Sequence, residues 1–496
     1  MFSDETLECV EFKTSWKKER SVTDSYAQTR EILTDELGIQ SRETVDTEIQ
    51  TEEEQDKELH LLNDNPESLG SFLNSVYPIM SKELEKNSRS HAFDGYDVSW
   101  EEKAVAVDCI HTLSHSALNE ELQVTGLSWN STGSVLAAAF GKFDHEDWCT
   151  HKSALCSWNL DRRNINSTKP DISVDLPSCL MCIAFHPKQP SWIAGGTFTG
   201  EVMLWDTSKE DEMLIASSGI GGDAHREPVS KLRWIPDPES RGKKFNIVSI
   251  SSDGKILVWQ IFPHQQALRL IDGFVLLTES LPRNFRPKGQ RGDQEVGVTC
   301  ISFSYEDPMT FVIGSESGCI FKCSTNAKGT PAGRHITSSV PLNSPVTFAF
   351  NPHHGPVYDV QCSPFHRNLF MSCGSDTSAR LYSMLQGHPI TIMEPSAGYL
   401  FSSKWSPVRP MVFAVATEDG YLLIYDLKHS HVTPVQKLEA KEPLYALEFN
   451  VHKRHLLATG GGRGTIQVWH LSDDLASQGS REVEMLAEIA ETSDDQ

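Results

Sequence analysis

The chain has no run of eighteen apolar residues, and its first thirty residues hold no apolar core of the kind that opens a secretory signal. These absences predict a soluble, cytosolic protein with no membrane insertion. The sequence also lacks a nucleophile elbow, a phosphate-cradling glycine loop and a paired catalytic carboxylate context. No catalytic residue is therefore assigned and no cofactor is expected. A propeller enzyme would need convergent polar or metal-ligating residues at its axial channel, which a linear sequence does not display.

Basic residues are in short supply: 44 Lys and Arg against 68 Asp and Glu leave a net charge of −24. Residues 1–100 carry −13 of it and residues 471–496 carry −7, leaving −4 for everything between. Acidic tails argue against nucleic-acid binding by those tails. The one basic loop, 281–291, reads as a solvated surface insertion. Eleven cysteines, an odd number scattered mostly over strand-like runs, fit reduced thiols that act as small core residues. Cys179 and Cys182 are spaced like half a zinc site, but no second Cys or His pair follows at zinc-finger spacing, so no metal is assigned.

What the chain does contain is a repeat. Seven times an apolar residue ending one strand-like run is answered by another in a later run. Five pairs are twenty residues apart: Phe185/Trp205, Phe303/Cys323, Cys362/Tyr382, Trp405/Tyr425 and Phe449/Trp469. Trp234/Trp259 and Trp129/Trp158 are the same unit lengthened by five and nine residues. Alternating apolar residues and the turns at Asp253-Gly254, Asp419-Gly420 and Gly464 are hairpin signals. The closing positions from Trp158 to Trp469 recur every 43 to 64 residues, near the ~40–45-residue period of four-stranded propeller blades, with loop insertions making up the excess. One blade cannot bury both faces of its sheet, so seven units predict a seven-bladed ring. The unpaired strand-like segment 104–110 is expected to form the outer strand of the last blade.

The pattern resembles the WD-repeat family over roughly residues 103–471, with a literal Trp-Asp pair at Trp205-Asp206 and degenerate versions such as Tyr425-Asp426 and Trp469-His470. The fold class expected is an all-β, seven-bladed WD-repeat propeller, preceded by a disordered tail and one short helix.

Residues 1–58 are rich in Glu, Asp, Ser and Thr and have no sustained apolar period, so they cannot bury enough surface to offset ordering and are expected to be disordered alone. Three short extended motifs recur there, around Ala27-Gln28-Thr29, Ile39-Gln40-Ser41 and Ile49-Gln50-Thr51. Such segments can add a strand to a partner's sheet edge, and two or three weak sites on one tail gain by effective concentration. They resemble the recognition sequences of the eight-kilodalton dynein light chain. Within the linker 59–102, Asn65 can cap a helix, Pro66 suits its first position, and Leu69, Phe72, Leu73, Val76 and Met80 fall on one face. Pro78 should kink or end that helix. Its apolar stripe either packs locally or binds a partner. Residues 472–496 read as an acidic tail with enough apolar residues for one or two helical turns.

The first blade carries the most specific resemblance. The insertion 141–153, with His145, Asp147, Trp148 and His151, and the flanking runs 124–133 and 154–163 resemble the first repeat of dynein intermediate chains. With the run 194–205, the likeness is closest to the WD-repeat intermediate chains of cytoplasmic dynein-2, the motor of retrograde intraflagellar transport. The insertion is expected to be structural, with Trp148 against the blade edge, rather than a cation site. The resemblance implies a non-catalytic scaffold with five kinds of partner. The propeller would hold a dynein heavy chain, the tail the eight-kilodalton light chain, and the helix a roadblock-type light chain. A second intermediate chain and transport-train proteins complete the set. It further implies cytoplasm, cytoskeleton, ciliary axoneme and basal body or centrosome as locations. A WD-repeat adaptor of another complex, such as a ubiquitin-ligase substrate receptor or signalling scaffold, is the alternative.

Overall fold

The computed structural model describes residues 66–89, 107–118, 122–145, 149, 151–210, 212–240, 242–286, 292–327, 329–333 and 335–491. It divides into two units, 1–98 and 99–496, each described by itself.

In the first unit, helix α1 runs from Pro66 to Arg89. It begins at the predicted proline, but Pro78 lies inside it rather than ending it. Leu69, Phe72, Leu73 and Met80 are exposed and Val76 is half-buried. The motifs at 27–29, 39–41 and 49–51 lie outside the described residues.

In the second unit the described strands form seven antiparallel four-stranded blades. Blades 1 to 6 span 123–176, 180–217, 229–275, 298–349, 357–393 and 400–439. Blade 7 takes three strands from 444–471 and its outermost strand, Val107–Leu113, from the start of the unit. That strand pairs antiparallel with Ile466–Leu471, Val107 opposite Leu471 and Leu113 opposite Ile466. The ring is thus closed by a strand that overlaps the nominated run 104–110 from Val107 onward and continues to Leu113. Innermost strands of consecutive blades touch all the way round, blade 7 meeting blade 1. Blades 2 and 3 are additionally joined at their outer edges by a parallel bridge between Ser217 and Ala267.

The twenty-residue repeat has a direct physical origin. Each predicted pair flanks one residue of its blade's second strand: Phe185 and Trp205 both face Ile193. Trp129 and Trp158 face Leu136, and Trp234 and Trp259 face Ile247. Phe303 and Cys323 share Phe311, while Cys362 and Tyr382 share Phe370. Trp405 and Tyr425 share Phe413, and Phe449 and Trp469 share Leu457. All seven central residues are buried. A cross-strand triplet of large apolar side chains is therefore the unit each blade repeats.

Those triplets do not feed one central core. Buried apolar residues gather into seven clusters, each at the junction of two neighbouring blades. Burial of sheet faces is achieved by stacking around the ring, as a solenoid achieves it along a line.

Two polar brackets lock strands within blades. In blade 3, His225 Nε2 lies 2.7 Å from Ser249 Oγ, its Nδ1 lies 3.1 Å from Asp253, and Trp259 Nε1 donates to the same Ser249 at 2.8 Å. In blade 5, His353 repeats this with Ser372 at 2.7 Å and Asp376 at 2.8 Å. In blade 3 the turn glycine after Asp253, Gly254, has φ +76°, and a Cβ there would lie 2.9 Å from the Val296 carbonyl oxygen.

The segment read as an acidic tail instead packs on the ring. Helices α2 (Asp473–Ala476) and α3 (Glu482–Glu491) follow the last strand. Leu486 and Ala490 are buried in the cluster between blades 5 and 6, beside Met411, Phe365 and Tyr421. A linear reading registers the negative charge but not that one helical stripe is covered. The basic loop is described as far as Arg286, whose Nε donates to its own loop's Leu281 carbonyl oxygen at 2.8 Å, and Leu281 is buried.

Candidate docking face and first-blade insertion

Every innermost strand carries a β-bulge near its start, where one residue has no partner on the second strand. The extra residues are Thr125, Met181, Ser230, Thr299, Tyr358, Phe401 and Tyr445, in blade order. A bulge re-aims its side chain out of the alternation of the strand. All seven line one cleft of about 630 Å³ at a mouth of the axial channel.

The ring of bulges is chemically uneven. Blades 5, 6 and 7 contribute aromatics, with Tyr358 5.1 Å from Phe401 and Phe401 4.8 Å from Tyr445 between ring centroids. Phe143 of the first-blade insertion extends the arc, 5.1 Å from Tyr445. Blades 1, 3 and 4 contribute only small hydroxyl side chains. Tyr399 and Phe143 are exposed while the bulge aromatics are half-buried. Partly exposed aromatic rings held against one another by a rigid ring of sheets suit protein docking.

Behind this mouth the channel is not lined by backbone and small side chains alone. Lys231, Arg233, Lys404 and Glu448 border a small cavity. Asp359 is almost wholly buried, with Lys404 Nζ at 2.9 Å and the Ser402 hydroxyl donating at 2.9 Å. Burial opposes the Asp359 charge, yet Lys404, Lys231 and Arg233 hold its carboxyl down at about 2. Burial pushes the Glu448 carboxyl up, against the pull of Lys404 and Arg233. Three cations thus face two carboxylates across blades 3, 5, 6 and 7.

The insertion between the second and third strands of blade 1 brings together residues that the sequence reading treated separately. Donor atoms of His145, Cys149, His151 and Cys179 all lie within 4.8 Å of one another. Cys179 comes from the loop that opens blade 2, and its backbone N–H donates to Cys149 Sγ at 3.2 Å. Burial and the neighbouring Cys149 push the Cys179 thiol up to about 12. Burial lowers the His145 pKa below the usual imidazole value. His145 stacks on Phe198 with centroids 3.9 Å apart and meets His151 edge-on at 5.3 Å. Both ring nitrogens of His145 and Nδ1 of His151 are buried, and by hydrogen-bond geometry none of them has a partner among the described residues. Cys182, paired with Cys179 by spacing alone, points elsewhere, donating to the Val229 carbonyl oxygen at 3.4 Å. Asp147 and Trp148 lie outside the described residues.

Of the predicted site residues, the structure thus describes His145 in the insertion and Leu69, Phe72, Leu73, Val76 and Met80 on α1. The bulge aromatics, Cys149 and Cys179 carried no sequence signal of proximity. The available hint was a regular position, four residues before the first member of each repeat pair, as in Thr125 before Trp129 and Tyr445 before Phe449.

A family model described as the dynein axonemal intermediate chain 3 WD40 domain matches residues 150–256 and 303–471. The chain is 44% identical to the mouse cytoplasmic dynein 2 intermediate chain 2 over 495 residues, covering 98% of this chain and 92% of the relative. It is 46% identical to the human protein of the same name, over 85% of this chain and 80% of that one. It is 26% identical to rat dynein axonemal intermediate chain 2 over 85% of this chain and 64% of the relative.

Proposed function

The chain belongs to the dynein intermediate-chain family, as an intermediate-chain subunit of dynein-2, and from that premise we propose that it is a non-catalytic scaffold with a division of labour between ring and tail. The observation that carries this reading is identity of 44% over 98% of the chain, which spans the amino-terminal region as well as the propeller. An adaptor of an unrelated complex would share the ring and would not need the rest.

A cytoskeletal, cilium-associated motor complex of heavy and light chains follows from the family. Within it, the propeller spanning about 103–471 together with α2 and α3 docks the heavy-chain tail. The aromatic arc of Phe143, Tyr358, Phe401 and Tyr445 is the contact surface, because it offers clustered, partly exposed rings at one mouth of a closed ring. The acidic region 1–58 binds the eight-kilodalton light chain through Ile39-Gln40-Ser41 and Ile49-Gln50-Thr51, with Ala27-Gln28-Thr29 the weakest because alanine buries least. The exposed stripe Leu69, Phe72, Leu73, Val76 and Met80 of α1 binds a roadblock-type light chain. These light chains tie the subunit to a second intermediate chain, and the assembly engages transport-train proteins along the axoneme and at the basal body or centrosome. The catalytic step stays in the heavy chain, since the buried channel carboxylate Asp359 is held by Lys404.

The test is heavy-chain retention by the full-length chain carrying Phe401→Ala and Tyr445→Ala. The proposal expects at least about a tenfold loss of affinity, as for the aromatic anchors of an interface, with an unchanged melting temperature. Undiminished retention would remove the arc from the contact.

A further inference from the structure

We propose that His145, Cys149, His151 and Cys179 form a closed structural Zn²⁺ site that staples the first-blade insertion to the start of blade 2. The four donors are two imidazoles and two thiols, the Cys₂His₂ set that zinc takes in tetrahedral structural sites. Soft sulfur with imidazole selects zinc over magnesium or calcium, which require oxygen donors. Zn–S near 2.3 Å and Zn–N near 2.0 Å set the corners of such a tetrahedron about 3.3–3.8 Å apart. Separations of at most 4.8 Å therefore need only a small contraction.

Three independent features point to an ion rather than to chance crowding. Buried imidazole nitrogens at His145 and His151 have no hydrogen-bond partner among the described residues, a costly state that a metal bond would relieve. The Cys179 backbone N–H aimed at Cys149 Sγ is the donor a metal-bound thiolate needs for its remaining lone pairs. Phe198, stacked on His145, fixes the plane of that ring and keeps water from one side of the cluster. The site is also topologically apt. Three ligands lie on one insertion of blade 1 and the fourth at the start of the next blade, so the metal would add a link between the two blades. Phe143, two residues before His145, would be fixed against Tyr445 as a consequence.

The linear sequence hides this arrangement because His145, Cys149 and His151 are four and two residues apart while Cys179 lies 28 residues further on. No zinc-finger spacing results.

The test is metal content of the full-length chain purified without added chelator, measured by elemental mass spectrometry. One zinc per chain is expected for the wild type and for Cys182→Ser, whose sulfur faces Val229, and none for Cys179→Ser. If Cys179→Ser does not fold, cobalt substitution of the wild-type protein decides: the site must give the intense ligand-field bands of tetrahedral Co²⁺ and a thiolate-to-cobalt charge-transfer band. A wild-type chain that takes up neither zinc nor cobalt, a Cys149–Cys179 disulfide in protein kept under reductant, or full zinc retention by Cys179→Ser would each overturn the assignment.

Discussion

Arg409 Nε lies 2.9 Å from Glu482 Oε1, joining a turn of blade 6 to a helix 73 residues later in the chain. The same guanidinium reaches Asp426 at 2.8 Å and donates to the Asp474 carbonyl oxygen. Asp426 is the acidic half of the degenerate Tyr425-Asp426 pair, so the repeat's own closing residue anchors the carboxy-terminal helices. All three side chains are buried.

Removing one partner of such a cluster leaves charge buried without compensation. Arg409→Leu should destabilise the ring by about 3–5 kcal/mol, read by chemical denaturation. Deleting residues 477–496 should also lower the midpoint, because it uncovers Met411, Phe365 and Tyr421. A fragment ending at Leu471 is therefore expected to be less stable than one ending at Glu491.

The cross-strand triplets make a second prediction. Phe370, stacked on Tyr382 and facing Cys362, is fully buried. Phe370→Ala should cost about 3–5 kcal/mol by lost burial plus cavity. Phe303, at a triplet's half-buried flank, should cost less when truncated. Denaturation midpoints of the two variants compare them directly.

Acid should weaken the fold in two separable steps. His186, packed among Trp192, Trp234 and Phe245, is lowered by burial and by Lys188 to about 4. His353 is lowered by burial, with Asp376 opposing. Both are depressed in the fold, so the unfolded chain binds more protons, and their contribution is complete above about pH 6.5 and is lost as pH falls towards 4. Asp359, held at about 2, contributes fully above about pH 4 and loses that contribution as pH falls through 2. His186→Phe should flatten the first limb of a stability profile, by about 2 kcal/mol at pH 4.5, and leave the second unchanged.

The fold was legible because a triplet repeated seven times leaves a linear trace. Phe185 and Trp205 are twenty residues apart since two short strands and two turns separate them, and the closing strand was legible as an alternating run without a partner. What did not show was whatever depends on neighbours in the ring. Thr125 and Tyr445 meet at one mouth only because seven bulges point the same way, and Cys179 reaches Cys149 only because blade 2 starts beside the insertion. Leu486 and Ala490 read as part of a charged tail, since amphipathic periodicity over ten residues says nothing of what it covers. Of the two effects expected of Pro78, a kink or an end, the end does not occur, since α1 continues through it to Arg89.

The central claim is that the ring holds the motor while the tail recruits light chains. Its most direct test is affinity capture from ciliated-cell extract with the full-length chain and with a full-length Gln40→Ala, Gln50→Ala variant, both scored by mass spectrometry. The account predicts that both retain the dynein-2 heavy chain and that the variant loses the eight-kilodalton light chain. Failure of the wild-type chain to retain any dynein heavy chain, or undiminished light-chain capture by the variant, would contradict it.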